Sequence, residues 1–177
     1  MKSDIITIDN HGNGFSEALE EAGRVAVYAG LDRKGTLQLS LLTQEMLSLA
    51  RCITGEMQAD FWIELVKGQF DLHMTTETVM DADKRSLLLS AASSRKNEAA
   101  RGLLGWLRDK VEQAMLVPVD HSEEEVPYDL MSDVGNQVFD DPEWDGYERS
   151  VLLKLADNVK IGIRGSKVDI DVSKRFA

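Results

Sequence analysis

A few side chains in this sequence have the types that chemistry uses, but none stands in a known catalytic spacing. His73 has no cysteine or second histidine near it in sequence, which favours a surface histidine over a metal ligand. The carboxylates of Asp140–Asp145 could gather oxygens around Ca²⁺, but they do not match the EF-hand spacing, which favours an acidic turn. The sequence contains no Gly-x-Ser-x-Gly elbow, no Walker loop and no zinc-ligand spacing, so it predicts no metal site.

The net charge of the chain is concentrated in one segment. The sequence has 177 residues and a net charge of −11. Of its 31 acidic residues, 11 lie in residues 120–148, where no Lys or Arg occurs, and the remaining 20 are balanced by 20 Lys and Arg. Nucleic acids and anionic lipids need basic surfaces, so we expect neither as a partner. We expect a peripheral acidic segment that helps to select a protein partner with a basic surface.

The sequence also bears on the compartment. No apolar run approaches the about 20 residues that span a bilayer, and Met1–Asp4 does not lead into the apolar stretch of a signal peptide. The single cysteine, Cys52, cannot form an internal disulfide and lies in a helical apolar pattern, so we expect a buried thiol in a reducing compartment. These features predict a cytoplasmic protein of one domain, and they leave a homodimer open.

The elements that must position any site follow from two hydrophobic periods. Apolar residues recur at helical spacing in residues 15–29, 39–53 and 83–116, with a polar break at 93–97. A short strand-like run precedes the first helix. Apolar and polar residues then alternate in four further segments, 61–65, 70–74, 159–163 and 168–172, which predicts two β-hairpins.

The predicted element order is β-α-α-β-β-α-α-loop-α-β-β. Strands with one apolar face need a helical layer against that face. The sequence therefore predicts an α+β protein: a two-layer α/β sandwich with a mixed sheet of about five strands and helices on one face. In a single domain of residues 1–177, we expect a helical and acidic-loop insertion at about 83–145.

Two stretches, together with this element order, carry a family resemblance. Leu41–Ala50 reads LLTQEMLSLA and is similar to a helix whose core is Glu-x-x-x-Asn-Ala. Ser150–Lys160 reads SVLLKLADNVK and is similar to a last helix that runs into a strand. Both are features of the GHKL ATP-binding fold of bacterial anti-sigma serine kinases. The chain resembles that family over roughly residues 4–80 and 146–176.

The resemblance implies a set of site residues. Glu45 falls at the position of the family's general base, with Ser48 on the same helix. Thr75 and Thr76 fall where the adenine-binding box begins, and Gly146 falls near the phosphate lid. ATP with Mg²⁺ is the cofactor that this set implies.

The sequence departs from the family pattern where the chemistry needs particular atoms. Leu49 takes the place of the Asn that holds Mg²⁺, and a leucine offers no oxygen to a hard cation. Residues 75–80 read TTETVM and contain no glycine, although the adenine-binding box is Asp-x-Gly-x-Gly. The acidic segment would also repel a triphosphate. These departures favour Glu45 as a solvated helix residue and predict no confident cofactor.

Three functions follow from the sequence. The favoured one is a regulatory protein-binding module on a degenerate anti-sigma-kinase-like ATPase scaffold, without strong ATP binding and without enzymatic activity. The first alternative is an active ATP-dependent serine protein kinase of the anti-sigma type. The second alternative is an unrelated small α+β enzyme whose site the sequence does not show.

Overall fold

The computed structural model describes residues 1–54, 58–100, 103–116 and 151–176. The acidic segment 120–148, with Gly146, lies outside the described residues, as does most of the loop part of the predicted insertion. The polar break predicted at 93–97 does separate two helices.

None of the described helices is long and apolar enough to cross a membrane. The described elements are α1 (Phe15–Tyr28), α2 (Arg33–Thr54), α3 (Ala82–Ala91), α4 (Leu103–Leu116), β1 (Ile6–Asp9), β2 (Gln58–Val66), β3 (Gln69–Glu77), β4 (Asn158–Arg164) and β5 (Lys167–Arg175), with a 3-10 turn at Glu98–Ala100 and helical residues at 151–155.

The five strands form one sheet in the order β1-β2-β3-β5-β4, and every pairing is antiparallel. The α+β class and the helical layer are thereby confirmed, but the expectation of a mixed sheet is wrong. The reason lies in the connection between β1 and β2. Because α1 and α2 pack as an antiparallel pair, they return the chain to the end of the sheet where β1 finished, so β2 runs the opposite way.

The core lies between the apolar face of the sheet and the helical layer. Alternate residues of each strand point to this face, as the period of two requires. Phe61 and Ile63 of β2 are completely buried there, together with Leu42 and Met46 of α2. The hydrophobic effect of this burial is what holds the helical pair on the sheet. The inward side chains of the strands are Ile6, Ile8, Ala59, Phe61, Ile63, Phe70, Leu72, Met74, Val159, Ile161, Ile163, Val168, Ile170 and Val172.

Cys52 is exposed, contrary to the expectation of a buried thiol. On α2, Ala50 and Ile53 carry the buried face. A helical residue is turned by about 100° from its neighbour, so Cys52 lies away from that face although it sits between apolar residues in sequence.

The segment after α3 covers the outer edge of β4. The backbone N–H of Ser93 donates to the Val159 carbonyl at 2.9 Å, and the Ser93 hydroxyl accepts from the Val159 N–H at 2.8 Å. Four residues further along both segments, the Asn97 amide donates to the Ile163 carbonyl at 2.9 Å and accepts from the Ile163 N–H at 2.8 Å. Ser93 and Asn97 thus take the place of a neighbouring strand and protect an edge that could otherwise pair with another chain.

Candidate functional site

The residues grouped by the family resemblance do not form one site. Glu45 and Ser48 lie on α2 in the helical layer, where both are partly buried. Thr75 and Thr76 are neighbours on β3 and therefore point to opposite faces of the sheet. Gly146 lies outside the described residues.

The hydrogen bonds of the two threonines confirm their separation. The hydroxyl of the buried Thr76 donates to the Gln58 carbonyl at 2.8 Å. The hydroxyl of Thr75 donates to Asp169 Oδ1 at 2.8 Å on the face that turns away from the helices. Thr75 therefore lies across the sheet from Glu45, so a single nucleotide cannot contact both.

The helical layer offers little to a metal ion. Leu49, to which the resemblance assigns the position of a Mg²⁺-binding Asn, is partly buried and packs against the core. Within the described ranges, no group of three or more His, Cys, Asp or Glu residues is placed to hold a metal. The described part of α2 thus presents an apolar side chain where a hard cation would need an oxygen.

The side of the sheet that turns away from α1 and α2, called the outer face below, carries a concentration of carboxylates. On its three central strands, β2, β3 and β5, the Lys and Arg side chains of this face are Lys167 and Arg175 near the ends of β5, and the edge strand β4 places Lys160 opposite Asp171. In the middle of the face, the side chains of Glu64 and Asp171 are 37% and 45% exposed. The carboxylates of these strands on the outer face are Asp60, Glu64, Asp71, Glu77, Asp169 and Asp171.

An aromatic pair lies among these carboxylates. The rings of Trp62 and His73 are stacked, with centroids 5.0 Å apart and an interplanar angle of 19°. The Trp62 Nε1–H donates to Glu64 Oε1 at 3.1 Å. The Lys2 ammonium lies 4.7 Å from the centroid of the Trp62 ring and 3.5 Å from Glu64. Lys2, Trp62, Glu64, His73 and Asp171 are called the Trp62 cluster below.

His73 is held by a residue from the other hairpin. Its Nδ1 lies 2.6 Å from Asp171 Oδ1, and the two residues face each other across β3 and β5. The hydrogen bond to Asp171 raises the pKa of His73, burial opposes this, and the charges of Asp171, Glu64 and Asp71 raise the pKa further. The sequence favours a surface histidine at position 73, but it does not show that the imidazole, only 21% exposed, is bonded to a carboxylate.

The stabilisation from the His73–Asp171 pair should fade at alkaline pH. Because the pKa of His73 is higher in the folded protein than its ordinary 6.5, the charged pair contributes fully below that value and is lost as the pH rises through the folded pKa. Asp171→Asn should therefore lower the melting temperature more at about pH 6 than at about pH 9. Thermal unfolding of the wild type and the variant at both pH values measures the loss of melting temperature, and NMR titration of the imidazole measures the pKa of His73. An equal loss of melting temperature at both pH values would contradict the prediction.

The described fold and site define a class: a two-layer α+β protein whose antiparallel sheet presents an acidic outer face with an aromatic pair at its centre. Comparison of the chain with protein-family models and with curated proteins finds no match.

Proposed function

We propose that the protein is a regulatory binding module on an anti-sigma-kinase-like scaffold. It acts by contact with a protein partner that presents a basic surface, and it binds ATP weakly or not at all. The observation that carries this proposal is the outer face, where the carboxylates of three central strands surround the Trp62 cluster.

Charge complementarity supports a basic partner. Carboxylates on neighbouring strands repel one another, and a partner's Lys or Arg side chains would relieve that repulsion on binding. The internal contacts relieve only part of it: Thr7 donates to Asp60 at 3.0 Å, and Thr75 and Arg164 donate to the two oxygens of Asp169 at 2.8 and 2.6 Å. The acidic residues of segment 120–148 add charge of the same sign, which would raise the association rate.

The Trp62 ring already holds a cationic side chain. Lys2 lies over the ring at a cation–π distance and is itself 51% exposed. An Arg from a partner could stack on the same indole and pair with Glu64 beside it. Tryptophan is also among the residues that most often dominate the binding energy of interfaces. Trp62 is therefore the anchor that we propose for the partner.

ATP with Mg²⁺ should bind more weakly than micromolar. The residues that the resemblance assigns to the nucleotide lie on opposite sides of the sheet, and Leu49 supplies no oxygen to the metal. Isothermal titration calorimetry of the full chain with ATP and Mg²⁺ measures this, with ADP and ATP without metal as controls. A dissociation constant of about 1 µM or tighter would instead support the serine kinase alternative.

The partner itself is tested by matched variants of the full chain. Trp62→Ala should weaken binding by at least about tenfold, whereas Glu17→Gln, an exposed change on α1, should leave binding unchanged. Lys2→Gln should maintain or tighten binding, because it removes the cation that competes for the Trp62 ring. Neutralising Glu123, Glu124 and Glu125 to Gln should slow association in a salt-dependent way.

The assay combines affinity capture of native binding proteins with kinetic measurement of each purified candidate, at low and at physiological salt. A partner that is lost with Trp62→Ala and retained with Glu17→Gln supports the proposal. A partner that binds both variants equally well, or that has an acidic contact surface, contradicts it.

A further inference from the structure

A second candidate site lies between α3, α4 and the connection that follows α3. The cavity there has a volume of about 440 Å³, which is within the usual range for small-molecule sites. Its polar lining comes from arginine, serine and glutamine side chains, and none of the described residues that line it carries a carboxylate. The lining residues are Ala82, Arg85, Ser86, Leu89, Ser90, Arg95, Gln113 and Leu116.

Arg85 is the unusual member of this lining because it is a buried cation. The residue is 6% exposed. Its Nη2 donates to Asp109 Oδ1, whereas its buried Nη1 has no acceptor among the residues that the structure describes. A buried donor on a charged group is costly when it lacks a partner. Nη1 is therefore an unused donor beside the cavity, and an anion would contact it once the Arg85 side chain turns toward the cavity that it lines.

The positions of the carboxylates distinguish the three cavities that Arg85 borders. Arg85 also borders a cavity of about 530 Å³, but Glu77 and Glu112 line that one and would repel an anion. It borders a third cavity, of about 590 Å³, where Lys96 and Lys110 add positive charge but the carboxylates of Glu98 and Asp109 offset it. Of these three cavities, only the one of about 440 Å³ combines two arginines with a lining that has no carboxylate among the described residues.

We propose that this cavity binds a small organic ligand through an oxyanion group, with a phosphate favoured. Arg95 would hold two of the oxygens, because a guanidinium matches the geometry of an oxyanion with two parallel donors, and Arg85 would add its unused Nη1. Ser86 and Gln113 supply further donors, which suits the several oxygens of a phosphate. Leu89 and Leu116 would contact the apolar remainder of the ligand. The site does not depend on the protein partner proposed above.

Arg95 offers a test that preserves the fold. It is exposed, and its φ of 52° lies in the left-handed region that glycine adopts without strain. Arg95→Gly should therefore remove one cation while it favours the same turn. Arg85→Gln removes the buried cation but changes a structural ion pair as well, so Arg95→Gly is the primary variant. The matched control is Arg33→Gln, which removes an exposed arginine at the start of α2.

The experiment follows backbone amide NMR signals of the full chain during titration with inorganic phosphate, with sodium acetate and sodium chloride as parallel arms at matched ionic strength. We expect saturable shifts with phosphate in residues 82–90, 92–97 and 113. Arg95→Gly should weaken this binding by about tenfold, and Arg33→Gln should leave it unchanged.

A stronger response to phosphate than to acetate supports a phosphate-bearing ligand. A stronger response to acetate supports the oxyanion site and assigns it to a carboxylate. Shifts that are equal in all three salts, or that persist unchanged in Arg95→Gly, would overturn the proposal.

Discussion

Replacing Asn97 by Ala should lower the free energy of unfolding by about 3 kcal/mol, because it leaves several buried backbone groups without partners. The Asn97 side chain is almost fully buried and makes four hydrogen bonds. Two of them satisfy the N–H and C=O of Ile163 at the outer edge of β4. The others join the N–H of Ala99 at 3.0 Å and Asp109 Oδ1 at 2.5 Å. Urea unfolding measures the loss.

Ser93→Ala is the matched control for this prediction. Ser93 covers the same strand edge through Val159, but it is exposed, so water can replace its hydroxyl. We expect it to cost about 1 kcal/mol or less. If Asn97→Ala were no more destabilising than Ser93→Ala, the buried amide of Asn97 would not be what secures the edge of β4. Increased self-association of Asn97→Ala would add support, since an unprotected strand edge pairs with other chains.

Removal of the Asp109 carboxylate should be at least as severe. Asp109→Ala would leave the Arg85 guanidinium buried without its ion-pair partner, which costs about 3 to 5 kcal/mol in comparable buried pairs. The side chains of Arg85 and Asp109 are 7% and 17% exposed, so solvent compensates little. Equilibrium unfolding in urea measures the difference from the wild-type chain.

A double variant separates the cost of an unpaired charge from the value of the pair. Arg85→Met combined with Asp109→Ala removes both charges and should recover a large part of the stability that Asp109→Ala loses. If the double variant were less stable than Asp109→Ala alone, the buried cation would not be the cause of the loss.

The same carboxylate gives the pair a defined response to acid. Burial raises the pKa of Asp109, but the hydrogen bonds from Asn97 and Arg85 together lower it by more than burial raises it. The pKa of Asp109 therefore lies below its ordinary value of 3.8. Its contribution to stability is therefore complete above that ordinary value and is lost as the pH falls through the folded pKa. This acid response is opposite in direction to that of the His73–Asp171 pair, which weakens as the pH rises.

The local elements could be predicted from the sequence with few errors. The alternation around Phe61 and Val168 indicated the strands, and the polar run at 93–97 ended α3 where the helical period breaks. In the alternation of residues 61–65, Trp62 is out of phase with Phe61 and Ile63, which predicts that it faces the polar side of the sheet, and it does lie on the outer face. Two expectations were wrong. The sheet is antiparallel and not mixed, and the Cys52 thiol is exposed and not buried.

The candidate site residues are a different case. The family resemblance groups Glu45, Ser48, Thr75 and Thr76, but the fold divides them between the helical layer and the two faces of β3. Neither Arg85 nor Asp171 stands out in the sequence. Each is an ordinary charged residue in a helix or strand, and its partner is not a neighbour in the chain.

By itself, the sequence determined the periodicity, the fold class and the distribution of charge, because these depend on residues close together in the chain. Only the tertiary structure decided which side chains meet. His73 joins Asp171 across 98 positions, Asn97 joins Ile163 across 66, and Arg85 joins Asp109 between two helices. Such contacts depend on strand register and helix packing, in which a shift of one residue turns a strand's side chains to the opposite face. Both candidate sites arise from contacts of this kind.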